Sequence, residues 1–124
     1  MSALARPPKT VLVVEDDWNI QSLMAMVLEG EGYRVETAAN GLQGLNAIER
    51  SLPDLVLLDM NMPLMNGWEF AREFHARFDS GVPIVVVTAS ADARQAATDI
   101  GAVDFLGKPF ELTTLVEVVR RNVR

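Results

Sequence analysis

A chain of 124 residues is the size of one ordinary domain, and at 49 % hydrophobic residues it can build a packed core. With no cysteine and a single histidine, His75, it excludes disulfides, thiolate nucleophiles, cysteine-bound zinc and a histidine-rich metal site. A net charge of −6 argues against general attraction to nucleic acid or anionic membrane, and no apolar run reaches the length of a bilayer span.

The opening "MSALARPPKT" lacks the apolar stretch of a secretory signal, so the expectation is a soluble, cytoplasmic protein. Residues 1–9, with Pro7 and Pro8, read as a loose lead-in to a single domain over 10–124. "TVLVVE", Thr10 to Glu15, is the first predicted strand. Ile20, Leu23, Met24, Val27 and Leu28 then repeat at helical spacing, with Gly30 and Gly32 as stop signals. "YRVETA" predicts a second, shorter strand. Asn40 is placed to cap a helix running to about Arg50, with Leu42, Leu45 and Ile48 inward.

Pro53 ends that helix, and "DLVLLD" predicts the third strand. After the loop "MNMPLMNG", Phe70, Ala71, Phe74 and Phe78 mark a third amphipathic helix. The fourth strand is expected over Pro83 to Thr88. An alanine-rich helix follows from Asp92 to about Asp99, and "AVDFLG" holds a short fifth strand. Leu112, Leu115, Val116, Val119 and Val123 give the last helix. Strands and helices alternate strictly, and three strands are almost continuously apolar, as burial on both faces requires. The fold class is therefore α/β, a doubly wound parallel sheet with helices on both faces.

In such sheets, sites form at the carboxyl ends of the strands, near the point where the strand order reverses. The residues just past the strands are Glu15, Asp16 and Asp17, then Asp59, then Thr88, Ala89 and Ser90, then Lys108 and Pro109. Carboxylates gathered this closely repel one another, and a hard divalent cation such as Mg²⁺ relieves that repulsion. A metal site beside a free carboxylate points to phosphoryl chemistry, with Asp59 as nucleophile. Lys108 can pair with Asp59 and then with a phosphoryl oxygen, and Thr88 can donate to another. "VEDDWN" carries no glycine, so it is neither a dinucleotide-binding turn nor a P-loop.

The pieces "VLVVEDD", "VLLDMNMPLMNG", "VVVTAS" and "DFLGKPF", in this order, strongly resemble the receiver domain of bacterial response regulators, over about Lys9 to Val123. The resemblance implies a five-stranded sheet in the flavodoxin- and CheY-like order 2-1-3-4-5. It implies Asp59 as phosphoacceptor, with Glu15 and Asp16 as the acidic pair and Asp17 outside it. Mg²⁺, or Mn²⁺ in its place, would be bound by Asp16 and Asp59 directly, by Glu15 through water and by the Asn61 carbonyl. Thr88 would be the switch hydroxyl, Lys108 the phosphate-binding lysine, and the Lys108–Pro109 bond cis. Phe105 stands where the family turns an aromatic ring inward. Asn61 and Ser90 stand where it tunes hydrolysis of the acyl phosphate. Asn66 replaces the usual aspartate and should still cap a helix.

By the same resemblance, the phosphodonor is a sensor histidine kinase or a phosphotransfer protein. The reader is a downstream protein or a second copy of the chain, docking on the face of the fourth helix, fifth strand and fifth helix. Neither direct nucleic-acid binding nor membrane contact is implied for this domain. One rival is a phosphatase of the haloacid dehalogenase type, but Asp59 lacks the second acid of its "DxD" and no cap domain is visible. The other is a receiver-like interaction module that works without phosphorylation. The residues such a module usually loses are all present. Singly, most of these side chains have plainer readings. Asp17 reads as a cap, Phe105 as packing, Trp18 as the first turn of a helix, Trp68 as packing, His75 as surface and Arg120, Arg121 and Arg124 as partners of a helix C-terminus.

Overall fold

The structure is a computed structural model and describes residues 7–78, 80–89 and 91–123. Five strands form one parallel sheet in the order β2-β1-β3-β4-β5: β1 (Thr10–Val14), β2 (Arg34–Ala38), β3 (Leu55–Leu58), β4 (Ile84–Thr88) and β5 (Asp104–Gly107). Between and after them run α1 (Trp18–Gly30), α2 (Gly41–Arg50), α3 (Gly67–Arg77), α4 (Ala93–Ile100) and α5 (Leu112–Asn122). Each strand is slightly shorter than the apolar run that predicted it. β2, β4 and β5 lose residues at their start, β1 at its end and β3 at both.

Alternation along the strands divides the core in two. Leu12, Val14, Val56, Leu58, Ile84 and Val86 face α2, α3 and α4. Val11, Val13, Leu55, Leu57, Val85 and Val87 face α1 and α5. Phe70 and Phe74 stack at 5.9 Å within the first of these layers. A layer on each face is what forces the strands to be apolar throughout.

Helix starts follow the side chains. Asp17 caps α1, accepting from the main-chain N–H of Asn19 and Ile20. Asn40 caps α2, and Asn66 forms a capping box with Glu69 at the start of α3. Leu42 departs from expectation: it is 48 % exposed, because α2 packs through Gly41, Gly44, Leu45, Ala47 and Ile48 on another face. Glycines let α2 approach closely, and a hydropathy pattern does not register them. Leu23 and Leu112, placed on apolar stripes, lie at the stripes' edges and are 38 % and 40 % exposed. Trp68 is 38 % exposed, so it packs only partly. Among the described residues, no helix is long and apolar enough to cross a membrane.

Candidate functional site

The strand order reverses between β1 and β3, and register brings their carboxyl ends level, with Val14 opposite Leu58. The next residues, Glu15 and Asp59, therefore emerge side by side. Asp59 N–H donates to the Val14 carbonyl at 3.0 Å, which fixes the step out of β3. Asp59 and Glu15 are 4 % and 2 % exposed, so two carboxylates are buried at the head of an apolar sheet. Asp16 is exposed beside them. Carboxylate oxygens of Glu15, Asp16 and Asp59 lie within 4.8 Å of one another.

Lys108 answers this charge from β5's end. Its Nζ is 2.6 Å from Glu15 Oε1 and 3.4 Å from Asp59 Oδ2. The lysine was expected on Asp59, and its tighter contact with Glu15 was not legible beforehand. The main chain supports the placement, since Lys108 N–H donates to the Thr88 carbonyl at 2.9 Å, one step past the Thr88–Gly107 register pair. The Lys108–Pro109 peptide bond is cis.

Burial pushes the Glu15 carboxyl from 4.5 up to about 7, against the contrary pull of Lys108 and of the Asp17 N–H, with the Asp59 charge adding to the rise. Burial also pulls the Lys108 ammonium down, but contacts with Glu15 and Asp59 outweigh it and hold its pKa above the ordinary value. One ammonium thus serves two buried acids, and the cluster is short of positive charge. The donor set is hard oxygen, which suits Mg²⁺, and the residues present fit that ion.

Thr88 ends β4 fully buried, and its Oγ1 accepts from the Asn61 side-chain amide at 3.2 Å. Asn61 also donates its main-chain N–H to Asp59 Oδ1 at 3.3 Å. Phe105, on β5, is half-buried under the Arg94 guanidinium, which sits 5.0 Å from the ring centre. Ser90 lies outside the described residues. The structure thus gathers Glu15, Asp16, Asp59, Asn61, Thr88 and Lys108 at one edge, while Phe105 lies further along the β5 and α4 side.

Three supports escaped the sequence reading. Gln21 reaches back from α1 to the carbonyls of Glu15 and Ala38, tying the helix to the ends of β1 and β2. Gly67 closes the loop over Asp59: a Cβ there would lie 2.7 Å from Met60 Cα and 2.9 Å from the Asp59 carbonyl oxygen. His75, read as surface, is exposed but places Nε2 2.9 Å from the Ile100 carbonyl at the end of α4. Gly67 alone left a signal, in the "NG" that follows the loop.

Comparison with known proteins agrees with this geometry. The family model "Response regulator receiver domain" matches residues 11–120. The DNA-binding response regulator MtrA of Mycobacterium leprae is 41 % identical over 116 residues, covering 92 % of this chain and 51 % of that protein. The chain therefore spans about half the length of the curated relatives it matches. Among solved structures, the Vibrio cholerae chemotaxis protein CheY4 superposes with a TM-score of 0.85 at 32 % identity, covering 94 % of this chain and 99 % of that one. The response regulator TrrA of Thermotoga maritima, solved in complex with Mg²⁺-BeF, gives 0.83 at 33 % identity, covering 93 % of this chain and 99 % of that one. The sheet order, the residues at its carboxyl edge and the family match lead to one statement: this chain belongs to the response regulator receiver domain family.

Proposed function

We propose that this chain is a phosphoacceptor whose Asp59 takes a phosphoryl group in a Mg²⁺-dependent reaction. The observation that carries this reading is the buried Asp59 carboxylate at the head of β3, flanked by Glu15 and Asp16 and within 3.4 Å of Lys108. A carboxylate oxygen of Asp59 attacks phosphorus. The bond from phosphorus to the donor breaks, and the donor leaves with its electron pair. With a phosphohistidine donor, that leaving group is the imidazole of a sensor histidine kinase or phosphotransfer protein.

Asp16 and Asp59, the Asn61 carbonyl and, through water, Glu15 would hold Mg²⁺, which supplies neutralisation of charge on the phosphoryl oxygens. Lys108 moves from the carboxylates to a phosphoryl oxygen, and the Thr88 hydroxyl donates to another. Phe105 then repacks, and the surface of α4, β5 and α5 presents the change to a downstream protein or a second copy. Asn61 and Ser90 set how readily water reaches the acyl phosphate. Replacing them by Arg and Leu should alter the dephosphorylation rate.

The test is intact-protein mass after incubation with Mg²⁺ and a small acyl-phosphate donor. One added phosphoryl group is expected for the native chain, absent without Mg²⁺ and absent in Asp59→Ala. No addition in any condition would leave the phosphorylation-independent module as the better reading.

A further inference from the structure

We propose that Gln21 is a positioning residue: its side-chain amide holds the main chain that aims the Asp16 carboxylate at Mg²⁺. This deepens the phosphoacceptor reading at its metal site and rests on it.

The three carboxylates of the site are not held alike. Glu15 has the Lys108 ammonium on Oε1 and the Asp17 N–H on Oε2 at 3.1 Å. Asp59 has Lys108 at 3.4 Å and the Asn61 N–H at 3.3 Å. The Asp16 carboxylate is exposed and makes no hydrogen bond or ion pair with another described residue. Its place beside the other two therefore depends on the main chain that carries it.

Gln21 grips that main chain on both sides of Asp16. Its side-chain Nε2 donates to the Glu15 carbonyl at 3.0 Å and to the Ala38 carbonyl at 3.1 Å. Its main-chain N–H donates to the Asp17 carbonyl at 2.9 Å. The main-chain bond belongs to the first turn of α1 and is independent of the side chain. The amide bonds are not. Both of their partners are carbonyl oxygens, so the group facing them has to be the amide nitrogen, whose two hydrogens supply one bond each.

β1 pairs with β2 as far as Val14 and Ala38, and the Glu15 N–H donates to the Ala38 carbonyl at 2.9 Å. Past that point the Glu15 carbonyl has no ladder partner, and among the described residues Gln21 is its donor. The carbonyl shares a rigid plane with the Asp16 N–H. Turning that plane changes φ of Asp16, and so the direction in which its side chain leaves the main chain. Glu15 is buried, and a buried carbonyl that loses its donor favours a turned peptide that finds another.

The experiment titrates the native chain, Gln21→Met and Gln43→Ala with Mg²⁺ alone, followed by calorimetry and by amide NMR. Methionine keeps the reach of glutamine without a donor. Gln43 is the control, a glutamine on α2 whose Oε1 accepts from the Ala39 N–H at 2.9 Å just past β2. Gln21→Met should raise the Kd for Mg²⁺ about 10-fold, the low end of the loss when a group that orients a metal ligand is removed. It should also shift the Asp16 amide nitrogen before Mg²⁺ is added. Gln43→Ala should do neither. Phosphoryl uptake from an acyl-phosphate donor should be slow in Gln21→Met at low Mg²⁺ and reach the native rate at saturating Mg²⁺, because the amide bonds go to β1 and β2 and not to Asp59 or Lys108. A bond that only braced α1 would lower Tm and leave Kd unchanged. Where Gln21→Met does not fold, Gln21→Asn, an amide one methylene too short, carries the same expectation.

A native Kd in the Gln21 variant, an unmoved Asp16 amide, an equal loss in Gln43→Ala, or uptake that stays slow at saturating Mg²⁺ would overturn the role of Gln21. A native chain that binds no Mg²⁺ overturns the metal site and this proposal together. Mg²⁺ binding without phosphoryl uptake overturns the phosphoacceptor reading alone.

Discussion

Val11 to Val14 of β1 and Leu55 to Leu58 of β3 are at most 1 % exposed, whereas along β5 only Leu106 is buried and Gly107 is exposed. The helices differ in the same way. α3 packs through Phe70 and Phe74, while α4 packs mainly through Ala93, Ala96 and Ala97 and has no side-chain cap. Large buried side chains cover both faces of the half of the sheet that carries Asp59, whereas in the half that carries Phe105 they cover the α5 face, through Leu106, Leu115 and Val119, and the α4 face is covered mostly by alanines. Elements that move in a switch come from the less stable part of a fold, because only there is a second arrangement within a few kcal/mol. Chemistry needs the opposite, a nucleophile fixed by its surroundings.

Truncation of the core should show the contrast most strongly. Leu58→Ala removes a fully buried side chain next to Asp59 and should destabilise the chain by about 2–5 kcal/mol. Val103→Ala, at the start of β5's side and 54 % exposed, should stay within about 0.5 kcal/mol. Urea unfolding of both variants measures this. Equal losses would mean that the two halves form one uniform core.

The halves should also respond oppositely to pH. Glu15 has its pKa raised by burial from 4.5 to about 7, so the folded state holds a proton more tightly than the unfolded chain. Its contribution is full below pH 4.5 and is lost as pH rises through about 7. Asp104 is the reverse. Burial alone would raise it, but hydrogen bonds from Asn122, from the Phe105 N–H and from Arg121 bring its pKa below the ordinary 3.8. Its contribution is present above pH 3.8 and is lost as pH falls through the lower folded value. Mg²⁺ should raise Tm by an amount corresponding to about 2.7 kcal/mol at a hundredfold excess over Kd. The gain should be larger at pH 8 than at pH 5.5, where Glu15 is protonated. Thermal scans with Mg²⁺ and with chelator check this, and a Tm indifferent to Mg²⁺ at pH 8 would sink the metal assignment.

A smaller effect concerns the loop beside the rigid half. Leu64 sits at φ 68°, in the left-handed region, and is 79 % exposed. A leucine gains nothing there by burial and carries a steric penalty that glycine avoids. Leu64→Gly should therefore stabilise the chain by about 0.5–1 kcal/mol, after the entropy that glycine returns to the unfolded state. A loss of stability would show that the loop holds Leu64 by contacts that outweigh its strain.

These differences show where sequence was a sufficient guide. Alternation along β1, β3 and β4 is fixed by two-sided burial, so the strands, the parallel sheet and the acids at their ends were legible. The caps Asn40 and Asn66 were legible too, because a side chain and the nearest N–H groups decide them locally. Contacts made across the sheet were not. The preference of Lys108 for Glu15 depends on register between β1 and β5, strands that are not neighbours. The Asn61–Thr88 bond joins residues 27 apart, and nothing in either neighbourhood signals it. Leu42 misled because the close approach of α2 relies on Gly41 and Gly44, which hydropathy does not count.

The smallest expected effect lies on the loose half itself. Arg94 on α4 covers the Phe105 ring at 5.0 Å, and a cation over an aromatic face at a solvent-exposed place contributes about 0.5–1 kcal/mol. Arg94→Ala should lower stability by no more than that, and Arg94→Lys by less, since an ammonium covers the ring less well than a planar guanidinium. The informative readout is the ring. Phe105 has no hydroxyl to tether it, so the ring is held by its packing against the core and by the guanidinium above it. In Arg94→Ala, the Phe105 resonances should broaden or shift while those of Leu58 stay in place. Movement at Leu58 of equal size would mean that the site and the readout are mechanically one body, and the contrast between the halves would then have no part in signalling.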